Sequence, residues 1–115
     1  MNHTEKMEKC RALTEKMLAL LDAKGRDYSG TDDAMSNFHD FGWKGILVRI
    51  GDKFHRCKNL SKKDSAAVKD ESIEDTLLDQ ANYCLLALIE KEWEDTLHKI
   101  RDAEHNATLK RELQL

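Results

Sequence analysis

DESIEDTLLDQANYCLLALIEKEW, residues 70–93, decides how the chain is read. Five acids fall between Asp70 and Asp79, and the run then turns apolar with Cys84, Leu85, Leu86, Ala87, Leu88 and Ile89. Ile73, Leu77, Ala81, Cys84 and Leu88 recur at three- and four-residue steps, the period of an α-helix. Trp93, Leu97 and Ile100 continue the stripe. The spacing predicts a helix from near Glu71 or Ser72 that can continue to Lys110; a break around Glu90 to Glu94 stays open, though no Pro or Gly demands one. Asp70, Glu71 and Ser72 suit its start, where negative charge is favourable. Asp79 and Asn82 lie two turns further in and need another explanation.

Two more helices flank this one. Met7, Cys10, Leu13, Met17, Leu20 and Leu21 predict a helix over about residues 4–24, with Thr4 as N-cap and Gly25 as a stop. Leu47, Ile50, Phe54 and Cys57 predict one over about residues 46–60, with those four on its core face. Arg49, Asp52, Lys53, Arg56 and Asn59 share the opposite face. Between them, residues 24–45 carry Tyr28, Phe38, Phe41 and Trp43 with four of the five glycines. This aromatic loop either lids a small core or carries function; within it a short helix is expected over 34–40. Residues 61–70 read as a polar loop.

Composition narrows the class. With 115 residues, 36% charged, no Pro and few aromatics, the chain suits one all-α domain, residues 1–115, a small bundle of three main helices. A net charge of -3 argues against a general nucleic-acid surface. Cys10, Cys57 and Cys84 are too far apart for a zinc motif and lie on apolar stripes, so they read as small buried hydrophobes of a cytoplasmic protein. No membrane span or export signal is expected. His39, His55, His98 and His105 read as ordinary surface or cap residues.

The chemistry centres on the long helix. Glu71, Asp75 and Asn82 fall within about 40° of one another around its axis, with Asp79 beside them. Because the helix is apolar nearly all round after Leu77, Asp79 and Asn82 are expected to be partly buried, where unpaired charge is expensive. The polar face of the second helix supplies partners. Glu71, Asp75 and Asp79, with Asp52, would hold Mg²⁺ and through it a nucleotide's phosphates. Alternatively Arg49, Lys53 and Arg56 would bind phosphate directly while the acids orient them. A third version has the acids and Asn82 reading a base or ribose. The plain alternative is a structural ion-pair network between helices.

Lys24, Asp27 and Tyr28, then Ser36-Asn37-Phe38, then Arg49, Asp52, Lys53, Arg56, Asn59 and Leu60, then Asp70-Glu71-Ser72, Asp75-Thr76, Asp79 and Ala81-Asn82-Tyr83 form an ordered set. That set, across residues 24–88, resembles the nucleotide modification associated domain 1 family, small helical domains of bacteriophages and bacteria. The resemblance implies a phage or prophage origin, hence a host cytoplasm, and a link to nucleotide metabolism or modification. A looser similarity is to the MazG-like all-α nucleoside triphosphate pyrophosphohydrolases, whose ExxE and ExxD acids hold Mg²⁺. Glu71 and Glu74 have the first spacing, whereas Asp79 is followed at the third place by Asn82.

The expectation is a protein that holds a nucleotide or nucleotide-derived molecule between helices 46–60 and 71–89, under the loop 25–45. Tyr28, Phe38 or Trp43 would stack on a base. Lys24, Arg49, Lys53 and Arg56 would meet anionic groups, with Asn37, Asp52 and Asn82 completing the binding set. One use is sequestration, for instance of a signalling nucleotide of host antiviral defence. The alternatives are a Mg²⁺-dependent pyrophosphohydrolase or modification enzyme, and a ligand-free helical interaction module. Residues 90–113 are read as a helical extension suited to a homodimer or higher homo-oligomer.

Overall fold

The computed structural model describes residues 1–28, 32–62 and 72–114, with the backbone alone for 26–28. These residues form α1 (His3–Tyr28), α2 (Ser36–His39), α3 (Gly42–Ser61) and α4 (Ile73–Leu113). The class is all-α, and no strand occurs among the described residues. No helix is long and apolar enough to cross a membrane.

Local chemistry sets the helix ends. The cap of α1 is Asn2, two residues before Thr4: Asn2 Oδ1 accepts from the Glu5 N–H at 2.8 Å, and a Glu5 carboxylate oxygen accepts from the Asn2 N–H at 3.2 Å. This reciprocal pair is a capping box. Gly25 does not stop α1, which runs on to Tyr28. A helical glycine costs only about 1 kcal/mol, and the neighbouring Lys24 is tied to α4. Ser72 caps α4, its hydroxyl accepting from the Asp75 N–H at 3.1 Å, with Glu74 and Asp75 in the favourable first turn. α4 then continues through Glu90–Glu94 without a break.

α3 begins at Gly42, four residues before the expected start, because α4 caps it. Phe41 offers no capping side chain, but Glu94 accepts from the Trp43 N–H at 3.1 Å. Gly42 has φ 68°, the left-handed region. The backbone angle is what favours glycine; a Cβ there would stand 2.6 Å from a Glu94 carboxylate oxygen, the end of a side chain that can shift only by loosening its hold on the Trp43 N–H.

α3 runs antiparallel to α4: Trp43 at its start meets Glu94, and Lys53 near its middle meets Asp79. The C-terminal half of α1 crosses α4 on one side of this hairpin. There Asn82 Nδ2 donates to the Met17 carbonyl at 3.0 Å, and Lys24 meets Asp79.

The buried faces differ from the expected ones. Among the described residues the buried hydrophobic side chains are Ile46, Cys57 and Ala87, and Thr76, Asn82 and Glu90 are buried too. On α3 the inward stripe is Ile46, Ile50, Lys53, Cys57 and Leu60, and Leu47 and Phe54 are exposed. On α4 the expected stripe is largely outside: Leu77, Cys84 and Leu88 are exposed. Cys10 is exposed too, so of the three cysteines Cys57 alone is buried. The rotation has a physical cause. The small side chains of Thr76 and Ala87 admit α3 closely, and turning that side inward brings Asp79, Asn82, Glu90 and Glu94 to partners they need once desolvated.

Gly42→Ala should destabilise the fold by roughly 1–3 kcal/mol. Gly25→Ala, in an exposed helical place where a Cβ meets nothing, should be neutral or stabilise by up to about 1 kcal/mol. Urea midpoints of the two variants check the contrast. Equal midpoints would contradict the account of Gly42.

Candidate functional site

A pocket opens where α1, the segment around α2 and α4 converge. Its walls are Leu21, Lys24 and Gly25 from α1, Ala34, Asn37 and Phe38, and Asp79, Asn82, Tyr83 and Leu86 from α4. Its cavity volume is about 110 Å³, below the roughly 300–1,000 Å³ typical of small-molecule sites, and it opens to solvent. The lining is mostly apolar, with a few polar groups at one end.

Those polar groups share one carboxylate. Asp79 Oδ1 is 2.5 Å from Lys24 Nζ and Asp79 Oδ2 is 3.3 Å from Lys53 Nζ. Asp79 thus joins α1, α3 and α4. Burial pushes its carboxyl pKa up, but Lys24 and then Lys53 outweigh that and hold it below the ordinary value. Asn82, one turn on, is 5% exposed. Its amide nitrogen is used by Met17, and its Oδ1 is buried with no hydrogen-bond partner. A stranded acceptor of this kind costs about 1–3 kcal/mol.

His39 fixes the α2 wall. Its Nδ1 is 2.8 Å from Glu90 Oε1 and its Nε2 is 2.7 Å from Asp33 Oδ2. A neutral imidazole donates from one nitrogen only, so serving both carboxylates requires the imidazolium. The ring stacks on Trp93 at 3.9 Å. The Glu90 hydrogen bond, against some desolvation and with help from Asp33, raises the His39 pKa. The Met35 N–H, and then His39, lower that of Asp33. Reading His39 as an ordinary surface or cap residue is therefore corrected. Its partner lies 51 positions away, and no local pattern announces such a pair.

The expected site residues separate into groups. Lys24, Asn37, Phe38, Asp79 and Asn82 line the pocket, and Lys53 adjoins it through Asp79. Arg49 lies instead at a second cavity with Asn37, Phe38, Phe41, Gly42 and Ile46. Trp43 is away from the pocket, with Lys91 Nζ 6.0 Å from its ring. Asp52 and Asp75 are exposed and Arg56 is half-buried. Glu71 and the Tyr28 side chain lie outside the described residues. This cavity lies between α1, the α2 segment and α4, whereas the expected site lay between the helices over 46–60 and 71–89. Among the described residues no three His, Cys, Asp or Glu side chains gather as a metal site. Tyr83, Leu21 and Leu86 complete the walls without having been singled out; Leu21 belonged to the apolar stripe of α1, and Tyr83 ended the acidic motif.

The family model of nucleotide modification associated domain 1 matches residues 37–90, from the α2 wall to Glu90. No curated protein and no solved structure matches the chain.

His39 carries a pH signature. Its folded-state pKa lies above the ordinary 6.5, so its contribution to stability is complete below about pH 6.5 and is lost as pH rises through the folded-state value. The melting temperature of the wild type should fall across that window relative to His39→Gln. Parallel pH profiles for the two proteins would contradict the imidazolium bridge.

Proposed function

We propose that the chain binds a nucleotide or nucleotide-derived small molecule in the pocket between α1, the α2 segment and α4. The observation that carries the reading is the pairing of an unpartnered buried acceptor, Asn82 Oδ1, with two lysines on one carboxylate beside an apolar pocket. The match of residues 37–90 to a nucleotide modification associated domain supports a nucleotide-related role.

Each wall has a chemical task. Phe38 and Tyr83 offer aromatic surface for a base. Asn82 Oδ1 accepts a hydrogen bond from an exocyclic amine or sugar hydroxyl. Lys24, half in solvent, and Lys53 turn from Asp79 towards phosphate, and Asp79 holds them in place until then. Mg²⁺ would enter with the phosphates it accompanies. Asp75, near the start of α4, is not part of the pocket wall.

Denaturing the purified protein and analysing the released small molecules by mass spectrometry tests occupancy. Calorimetric titration with nucleoside mono-, di- and triphosphates and cyclic dinucleotides, with and without Mg²⁺, tests affinity. Lys24→Ala should weaken binding by about tenfold or more, the loss of one charged hydrogen bond. Asp75→Ala should leave it unchanged. A ligand recovered intact marks a binding protein, whereas turnover requiring Mg²⁺ marks a hydrolase in the same pocket. No released nucleotide, together with no binding under either condition, would overturn the reading.

A further inference from the structure

The single chain leaves uncovered the side chains that its sequence marks as core. Leu77, Ala81, Cys84 and Leu88 are spaced four, three and four apart and lie within about 60° around α4. Leu77 is 52% and Leu88 66% exposed, and on α3 Leu47 is 46% and Phe54 56% exposed. Helix geometry places all of these on one side of the α3–α4 hairpin. Asp79, Asn82 and Lys53 are on the other side, which α1 covers. Among the described residues the hairpin is therefore covered on one face and bare on an apolar second face.

The area involved is large. The chain exposes 9345 Å², whereas about 6,500 Å² is usual for a folded monomer of its mass. The excess, about 2,900 Å², is spread over the whole chain, including the protruding ends of α1 and α4, and the apolar face is one part of it; a standard interface buries roughly 800 Å² on each partner. The radius of gyration, 20.2 Å, compares with about 13 Å for a compact chain of this length. A core of Ile46, Cys57 and Ala87 is slight for an independent domain. Whatever completes it must accompany the chain wherever it folds, and a second copy meets that condition.

The spacing also fits a second copy. The four α4 residues read the same in both directions about a point between Asn82 and Tyr83. In an antiparallel pair of α4 helices related by a two-fold axis, Leu77 meets the partner's Leu88 and Ala81 meets the partner's Cys84. Each large residue faces a large one at the ends, and two small residues face each other at the centre where the helices come nearest. Closed two-fold pairing on one self-complementary patch is the commonest form of homo-oligomer.

We propose that a second copy of this chain covers the α3–α4 face opposite α1, the two α4 helices antiparallel about Asn82–Tyr83. The result is a four-helix core built from two α3–α4 hairpins. The face is distinct from the pocket, so the dimer stands whether or not the nucleotide reading does.

Light scattering on the purified full chain should give twice 13.3 kDa, and Leu88→Glu should shift it towards the single-chain mass. A monomeric wild type at micromolar concentration would overturn the proposal. Cross-linking covers the case in which Leu88→Glu does not fold. In a Cys10→Ser, Cys84→Ser background, Leu77→Cys with Leu88→Cys should oxidise to a disulfide-linked dimer, and Leu77→Cys alone should not, since a disulfide needs Cβ atoms about 4 Å apart. Cross-linking by Leu77→Cys alone, or none by the double variant, would overturn the antiparallel arrangement.

Discussion

Glu90 has no exposed surface, and its carboxylate meets His39. A carboxylate in that position is tolerable only with a hydrogen-bonded, charged partner. His39 is that partner, and Asp33 on its other nitrogen keeps it protonated. The bond draws α2, four residues long, onto α4 and sets Asn37 and Phe38 as a wall. One helical turn further, Glu94 caps α3 beside Gly42, whose positive φ favours glycine. The same side of α4, towards its start, offers Asn82 to α1 and Asp79 to α1 and α3. α4 is thus a spine whose inward polar groups each specify one neighbour. Oil alone would not set these positions, because the buried hydrophobic residues are few.

This design leaves the pocket with an unusual division of labour. Asp79 is occupied by lysines and serves as a holder of positive charge. Asn82 spends its donor on a helix backbone and keeps its acceptor. The pocket therefore joins lysines held on Asp79, an acceptor on Asn82, and the rings of Phe38 and Tyr83. Such an arrangement suits a ligand with an anionic group, a polar edge and a flat ring.

Much of this was legible in the sequence. The four-and-three spacing of Ile73 to Leu88 specified the long helix, and Asp79 and Asn82 stood out because capping does not explain them. Lys53 as a partner of Asp79 followed from the polar face of the second helix. Lys24, the closer partner, was drawn from motif resemblance, since its 55-residue separation from Asp79 leaves no local trace. The same limit hid the His39–Glu90 bond and the capping of α3 by Glu94. Periodicity also named Leu47, Phe54, Leu77, Cys84 and Leu88 as core, and in one chain they are exposed. Hydrophobic spacing reports which side chains need covering and is silent on whether the cover comes from the same chain.

The central claim is that the α1–α2–α4 pocket, with Asn82 at its polar end, receives the ligand. Nuclear magnetic resonance of ¹⁵N-labelled protein, titrated with the nucleotides that bind in calorimetry, tests it directly. The account predicts that the Asn82 side-chain amide and the backbone amides of Asn37, Phe38 and Asp79 shift together with a single saturation curve. Shifts confined to the surroundings of Arg49, Asp52 and Asp75, with Asn82 unmoved, would contradict it.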